Sequence, residues 1–101
     1  MSSVAIVGAG RIGVPWGAVL ASQFDHEVTC IDIDPDRVDQ INRGEAPFSE
    51  PNLGSYLGEA VESGRLRATT DPSVVADHRY VALTVNAPRN GMSRYLDTVR
   101  E

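Results

Sequence analysis

The 101-residue chain reads as an α/β fold, a parallel sheet of about four strands flanked by helices, and three observations predict it. Four short runs have the length and side chains of strands: Val4–Val7, Val28–Ile31, Leu66–Thr69 and Tyr80–Val85. Between them lie stretches with a helical apolar period, and strands that alternate with helices build parallel sheets. The turns carry matching punctuation, with Asp34-Pro35 and Asp71-Pro72 each pairing a helix cap with a residue suited to the first helical position.

The first strand is continuously apolar, as strands covered on both faces are. It breaks into Gly8-Ala9-Gly10-Arg11-Ile12-Gly13 and then into a helix reaching about Ser22. In that helix Ile12, Trp16, Val19 and Leu20 fall on one face, the side expected to pack inward. Pro15 sits in its first turn, where a missing N–H costs little. Gly17, one turn beyond Gly13, is expected to extend a close approach to the sheet.

The second strand leads into Asp32-Ile33-Asp34-Pro35, with Asp34 as the cap of a second helix that ends at Arg43-Gly44. Glu50-Pro51 opens a third helical pattern through Leu53, Leu57 and Val61, terminated by Gly64. Gly54 and Gly58 weaken that helix by about 1 kcal/mol each relative to alanine, so close packing against another element is expected there. A short helical turn over Val74–Ala76 precedes the fourth strand, which ends in Asn86-Ala87-Pro88, and a further helix begins at Ser93.

The glycine run carries the chemistry. Gly8 permits a tight turn, Gly10 lets backbone approach a pyrophosphate, and Gly13 lets the helix pack on its strand. The positive end of that helix, with its unpaired N–H groups, suits a diphosphate. Asp32 lies about 20 residues further on, where a ribose-binding acid belongs. Such an acid accepts from ribose hydroxyls and repels a 2′-phosphate, so the pattern predicts an NAD site in a Rossmann-type sheet with strand order 3-2-1-4. Arg37 has two open readings, over the adenine and ribose or as a solvated helix arginine.

Composition removes other classes. Fourteen acids against nine bases give a net charge of −5, and all nine bases are arginine. No basic cluster offers a nucleic-acid face. No apolar run is long enough for a membrane span and no signal-peptide pattern opens the chain, which predicts a cytoplasmic protein. Cys30, alone in an apolar strand, is expected to be a buried small hydrophobe with no catalytic part. His26 and His78 are expected in surface loops, and no metal-ligand spacing is present.

Beyond the glycines the residues resemble the UDP-glucose/GDP-mannose dehydrogenases, nucleotide-sugar dehydrogenases. The likeness covers nearly the whole chain. Its pieces are Gly8–Gly13 with Val14-Pro15, Asp32-Ile33-Asp34 with Arg37-Val38, Ile41-Asn42-Arg43-Gly44, Glu50-Pro51-Asn52-Leu53, Ser63-Gly64-Arg65-Leu66 and Ala68-Thr69-Thr70-Asp71. The resemblance implies a two-step, NAD-dependent oxidation of a sugar C6 alcohol to a carboxylate through a cysteine-bound intermediate. By position it implies Arg11 and Ile12 beside the pyrophosphate, Asp32 and Arg37 on the adenosine ribose, and Ala87 near the cofactor.

Family members commonly carry an aromatic residue at the position of Arg11 and a V-P-T-P run at Val85–Pro88. In the family the catalytic cysteine and the sugar-binding parts lie beyond the position of residue 101. Residues 1–101 are therefore expected to be the N-terminal NAD-binding segment, inactive alone and without a catalytic residue. The nucleotide sugar would bind through regions outside this chain, in a full-length protein that could be a homodimer. Gly8–Gly13 and Asp32–Val38 also resemble the nucleotide-sensing regulatory domains of potassium transporters, a likeness that stops near Ile41.

Overall fold

The computed structural model describes residues 2–84. In chain order the elements are β1 (Ser3–Val7), α1 (Gly13–Gln23), β2 (Glu27–Ile31), α2 (Pro35–Asn42), α3 (Leu53–Glu62), β3 (Leu66–Thr69), a 3₁₀ segment (Pro72–Asp77) and β4 (Tyr80–Leu83). The strands are parallel in the order β3-β2-β1-β4, as the sequence predicts. Val85, the Asn86–Pro88 loop with Ala87, and the helix expected from Ser93 lie outside the described residues.

Register places Ile6, Cys30 and Ala68 side by side on one face. Val14, Ala18 and Ala21 of α1, Val38 and Ile41 of α2, and Leu53, Leu57 and Ala60 of α3 join them in one buried cluster. The caps behave as their residue types require. Asp34 accepts from the N–H groups of Asp36 and Arg37, and Asp71 accepts from that of Ser73. The second carboxylate is drawn below its ordinary range, first by the Ser73 hydroxyl and then by the Ser73 N–H.

Four expectations are corrected. The inner face of α1 is not centred on Ile12, Trp16, Val19 and Leu20, of which Leu20 alone packs on the core, half-buried. That face is Gly13, Val14, Gly17, Ala18 and Ala21, while Ile12 and Trp16 are 62% and 60% exposed. Apolar residues run all round this helix, so periodicity alone does not select a face. Proximity does: a Cβ on Gly17 would lie 3.2–3.3 Å from Val28, Cys30 and Ile6, a spacing only the small-residue face tolerates.

The third helix begins at Leu53 rather than at Glu50-Pro51. Asn52 adopts a left-handed conformation (φ 65°), so Glu50 to Leu53 is a turn closed by the Leu53 N–H on the Glu50 carbonyl. Gly54 packs closely on nothing, and Gly58 is approached only by Gly44, whose Cβ would lie 3.5 Å from Gly58 Cα, while a Cβ on Gly54 or Gly58 itself would have no neighbour within 4 Å. The histidines are half-buried and bonded. His26 Nδ1 accepts from the Ser2 N–H, and His78 bridges the Val74 carbonyl (2.7 Å) and the hydroxyl of buried Thr29 (2.8 Å).

Candidate dinucleotide site

The carboxyl ends of β1, β2 and β4 converge, because Gly8 N–H donates to Ile31 carbonyl (2.8 Å) and Thr84 N–H to Val7 carbonyl (2.9 Å). Open parallel sheets bind ligands at this edge. A cleft of about 900 Å³ lies here, lined by Gly8–Ile12, Asp32–Asp34, Arg37, Pro47, Phe48, Leu83 and Thr84. It thus gathers Gly8, Gly10, Arg11, Ile12, Asp32 and Arg37, six of the eight residues the sequence selects. Gly13 stands behind it in the core, and Ala87 lies outside the described residues.

Each glycine of the turn answers a different demand. Gly8 has φ +110°, a conformation L side chains rarely adopt. A Cβ on Gly13 would collide with the Gly8 carbonyl oxygen and the Thr84 hydroxyl. At Gly10 a Cβ would meet nothing within 4 Å, so the space it leaves opens outward. That open space, beside a helix start with no side-chain cap on Ile12, fits a diphosphate approaching the backbone. Among the described residues no hydrogen bond uses the N–H of Gly10, Arg11 or Ile12.

The acid is built into the turn. Asp32 Oδ2 accepts from Ala9 N–H (2.8 Å) and Oδ1 from Asp34 N–H (2.9 Å). A carboxylate has about four acceptor positions, so two remain for ribose hydroxyls. Arg37 donates from Nη1 to the Ala9 carbonyl. Both expected ribose ligands therefore grip one buried residue, Ala9, from its two sides, and their positions relative to the glycine turn are fixed before any ligand arrives.

Cys30 is fully buried two residues before the acid, its thiol pushed up to about 12 by burial and then by the Asp32 charge. Thr84, whose hydroxyl donates to the Gly8 carbonyl (2.9 Å) and holds the turn, also belongs to the site, as do Pro47 and Phe48, and none of the three is selected by the sequence. The available signals were a hydroxyl inside an apolar strand and an aromatic ring in a polar loop. Among the described residues no helix is long and apolar enough to cross a membrane, and no group of His, Cys, Asp or Glu could hold a metal ion.

A parallel sheet in this order, with a glycine turn, an acid at the end of β2 and a cleft between them, defines a dinucleotide-binding domain of the Rossmann type. The sequence model of the UDP-glucose/GDP-mannose dehydrogenase family, NAD binding domain, matches residues 2–99, well past Ile41. The chain belongs to that family, as its NAD-binding domain.

Among curated proteins it is 44% identical over 82 residues to UDP-N-acetyl-D-mannosamine dehydrogenase of Salmonella typhi, covering 81% of this chain and 19% of that protein. It is 41% identical over 68 residues to GDP-mannose 6-dehydrogenase of Azotobacter vinelandii, covering 67% and 15% respectively. Among solved structures, a ternary complex of GDP-mannose dehydrogenase from Pseudomonas aeruginosa superposes with a TM-score of 0.83 at 34% identity. The match covers 95% of this chain and 23% of that one. The chain thus spans 15–23% of the length of these relatives.

Proposed function

We propose that this chain is the NAD-binding portion of a nucleotide-sugar dehydrogenase that oxidises a sugar C6 alcohol to a carboxylate. When bound, NAD supplies the hydride acceptor for that oxidation. The residues of this chain hold and orient the adenosine diphosphate half. The backbone from Gly8 to Ile12, leading into α1, receives the diphosphate, with Gly13 behind it letting the helix pack on its strand. Asp32 accepts from the ribose hydroxyls and Arg37 lies beside them.

The observation that carries this reading is the double use of Ala9, whose N–H and carbonyl are held by Asp32 and Arg37. That clamp sets two side chains suited to a ribose against a turn whose N–H groups at Gly10, Arg11 and Ile12 have no hydrogen-bond partner among the described residues. The chemistry and the sugar-binding contacts belong to parts of a longer protein, which we place in the cytoplasm as a homodimer.

The test has two arms. Titration of this chain with NAD, followed by ¹⁵N–¹H NMR, is expected to shift the amides of residues 8–13 and 32–37 with weak, saturable affinity. Nanomolar affinity, or shifts elsewhere, would refute the half-site reading. The full-length protein, assayed for NADH with a panel of nucleotide sugars, is expected to release two NADH per sugar oxidised.

A further inference from the structure

The loop between α2 and α3 reaches into the cleft through Pro47 and Phe48. Phe48 is half-buried and rests against the hydrophobic core. Its ring also meets two guanidiniums, with Cζ of Arg11 5.4 Å and Cζ of Arg37 5.6 Å from the ring centroid. These arginines come from different elements, one from the glycine turn and one from the first turn of α2. Among the described residues the ion pairs are Arg43 with Glu45 and Arg65 with Asp25, so neither cleft arginine is matched by a carboxylate there.

A ring attracts a guanidinium through the negative potential of its face. Two like charges on one aromatic support repel each other, and an anion in the cleft relieves that repulsion. We infer that Phe48 is a positioning residue for the adenosine diphosphate part of the ligand. It holds Arg11 beside the diphosphate and Arg37 beside the adenosine ribose, so that both guanidiniums lie near the negative charge of the ligand, and makes the loop of residues 43–52 a wall of the site. The inference rests on the reading of this cleft as the NAD site. It adds a ligand-ordering role for a residue that touches the cofactor through two others.

The test compares the 101-residue chain with its Phe48→Leu and Phe48→Tyr variants, titrated with NAD, ADP and nicotinamide mononucleotide by ¹⁵N–¹H NMR at two salt concentrations. The spectra themselves report folding. Phe48→Leu keeps apolar bulk and removes the aromatic face. It is expected to weaken NAD and ADP about tenfold, the sum of two exposed cation–π contacts, and to flatten the salt dependence of both. Phe48→Tyr is expected to restore affinity and salt dependence, and nicotinamide mononucleotide to respond alike in all three proteins.

Unchanged ADP binding in Phe48→Leu would overturn the inference while leaving the NAD site standing, as would equal weakening in both variants. Absence of any NAD or ADP response in the unaltered chain would refute the site reading and this inference together.

Discussion

Replacing Asp32 by asparagine separates what this side chain does for the fold from what it does for the ligand. The carboxylate accepts from two backbone N–H groups, of Ala9 and Asp34. An amide offers one acceptor oxygen and one NH₂ donor, so one of those N–H groups must face a donor. Ala9 is 1% exposed and Asp34 is exposed, so the amide oxygen is expected to turn to Ala9 and leave the Asp34 N–H to water. The folding cost is then about 1 kcal/mol, the low end of the ~1–3 kcal/mol for an unsatisfied buried group.

The binding cost is larger. Ribose hydroxyls lose an anionic acceptor, and hydrogen bonds to charged groups contribute about 1.5–3 kcal/mol, or roughly 10- to 100-fold in Kd. Urea unfolding measures the first quantity and NMR titration with NAD the second. Removal of the charge should also narrow the preference for NAD over NADP. A variant that loses stability yet binds NAD within about twofold of the original would show that Asp32 serves only the turn.

Other outcomes follow from packing and titration. Gly54→Ala and Gly58→Ala should each stabilise the chain by about 1 kcal/mol, because a Cβ at either position meets nothing within 4 Å; thermal unfolding checks this. Gly13→Ala should destabilise by at least ~3 kcal/mol, since its new methyl group meets the Gly8 carbonyl and the Thr84 hydroxyl; a urea midpoint equal to the original would contradict this packing. Cys30 should resist thiol reagents until the chain unfolds. Its thiol titrates near 12 when folded against an ordinary value of 9.0. The unfolded state therefore releases its proton first, and the stability contributed by this thiol should be full below pH 9 and fall as pH rises from 9 towards 12.

The elements that could be read from the sequence are those with a local physical cause. Asp34-Pro35 caps and starts a helix by its own chemistry, Gly44 and Gly64 end helices at positive φ, and the spacing from Gly13 to Asp32 follows from one strand–helix–strand unit. The face of α1 could not be read, because the choice between Trp16 and Gly17 depends on how near the sheet lies. The bonds of His78 were hidden for the same reason, as its partner Thr29 is 49 residues away. The glycines and Asp32 were legible in the site since each has a requirement of its own. Thr84 and Phe48 act through other residues, which places their signal in the tertiary structure.

Residues that touch no ligand also shape the site. Asn42, at the end of α2, donates from Nδ2 to the Ala68 carbonyl (3.0 Å) and accepts at Oδ1 from the Ala68 N–H (2.8 Å). Among the described residues β3 is an edge strand, and an edge presents unpaired backbone groups to any other chain. The carboxamide copies a peptide unit and closes one such pair. The Arg43-Gly44 turn that follows, with Gly44 N–H on the Ile41 carbonyl at 2.8 Å, ends α2 directly after this contact. Ile41-Asn42-Arg43-Gly44 is thus a device that anchors the helix by Ile41, covers the sheet edge by Asn42 and turns the chain into the loop that brings Phe48 to the cleft. A motif remote from the diphosphate shapes the site because it fixes where that loop begins.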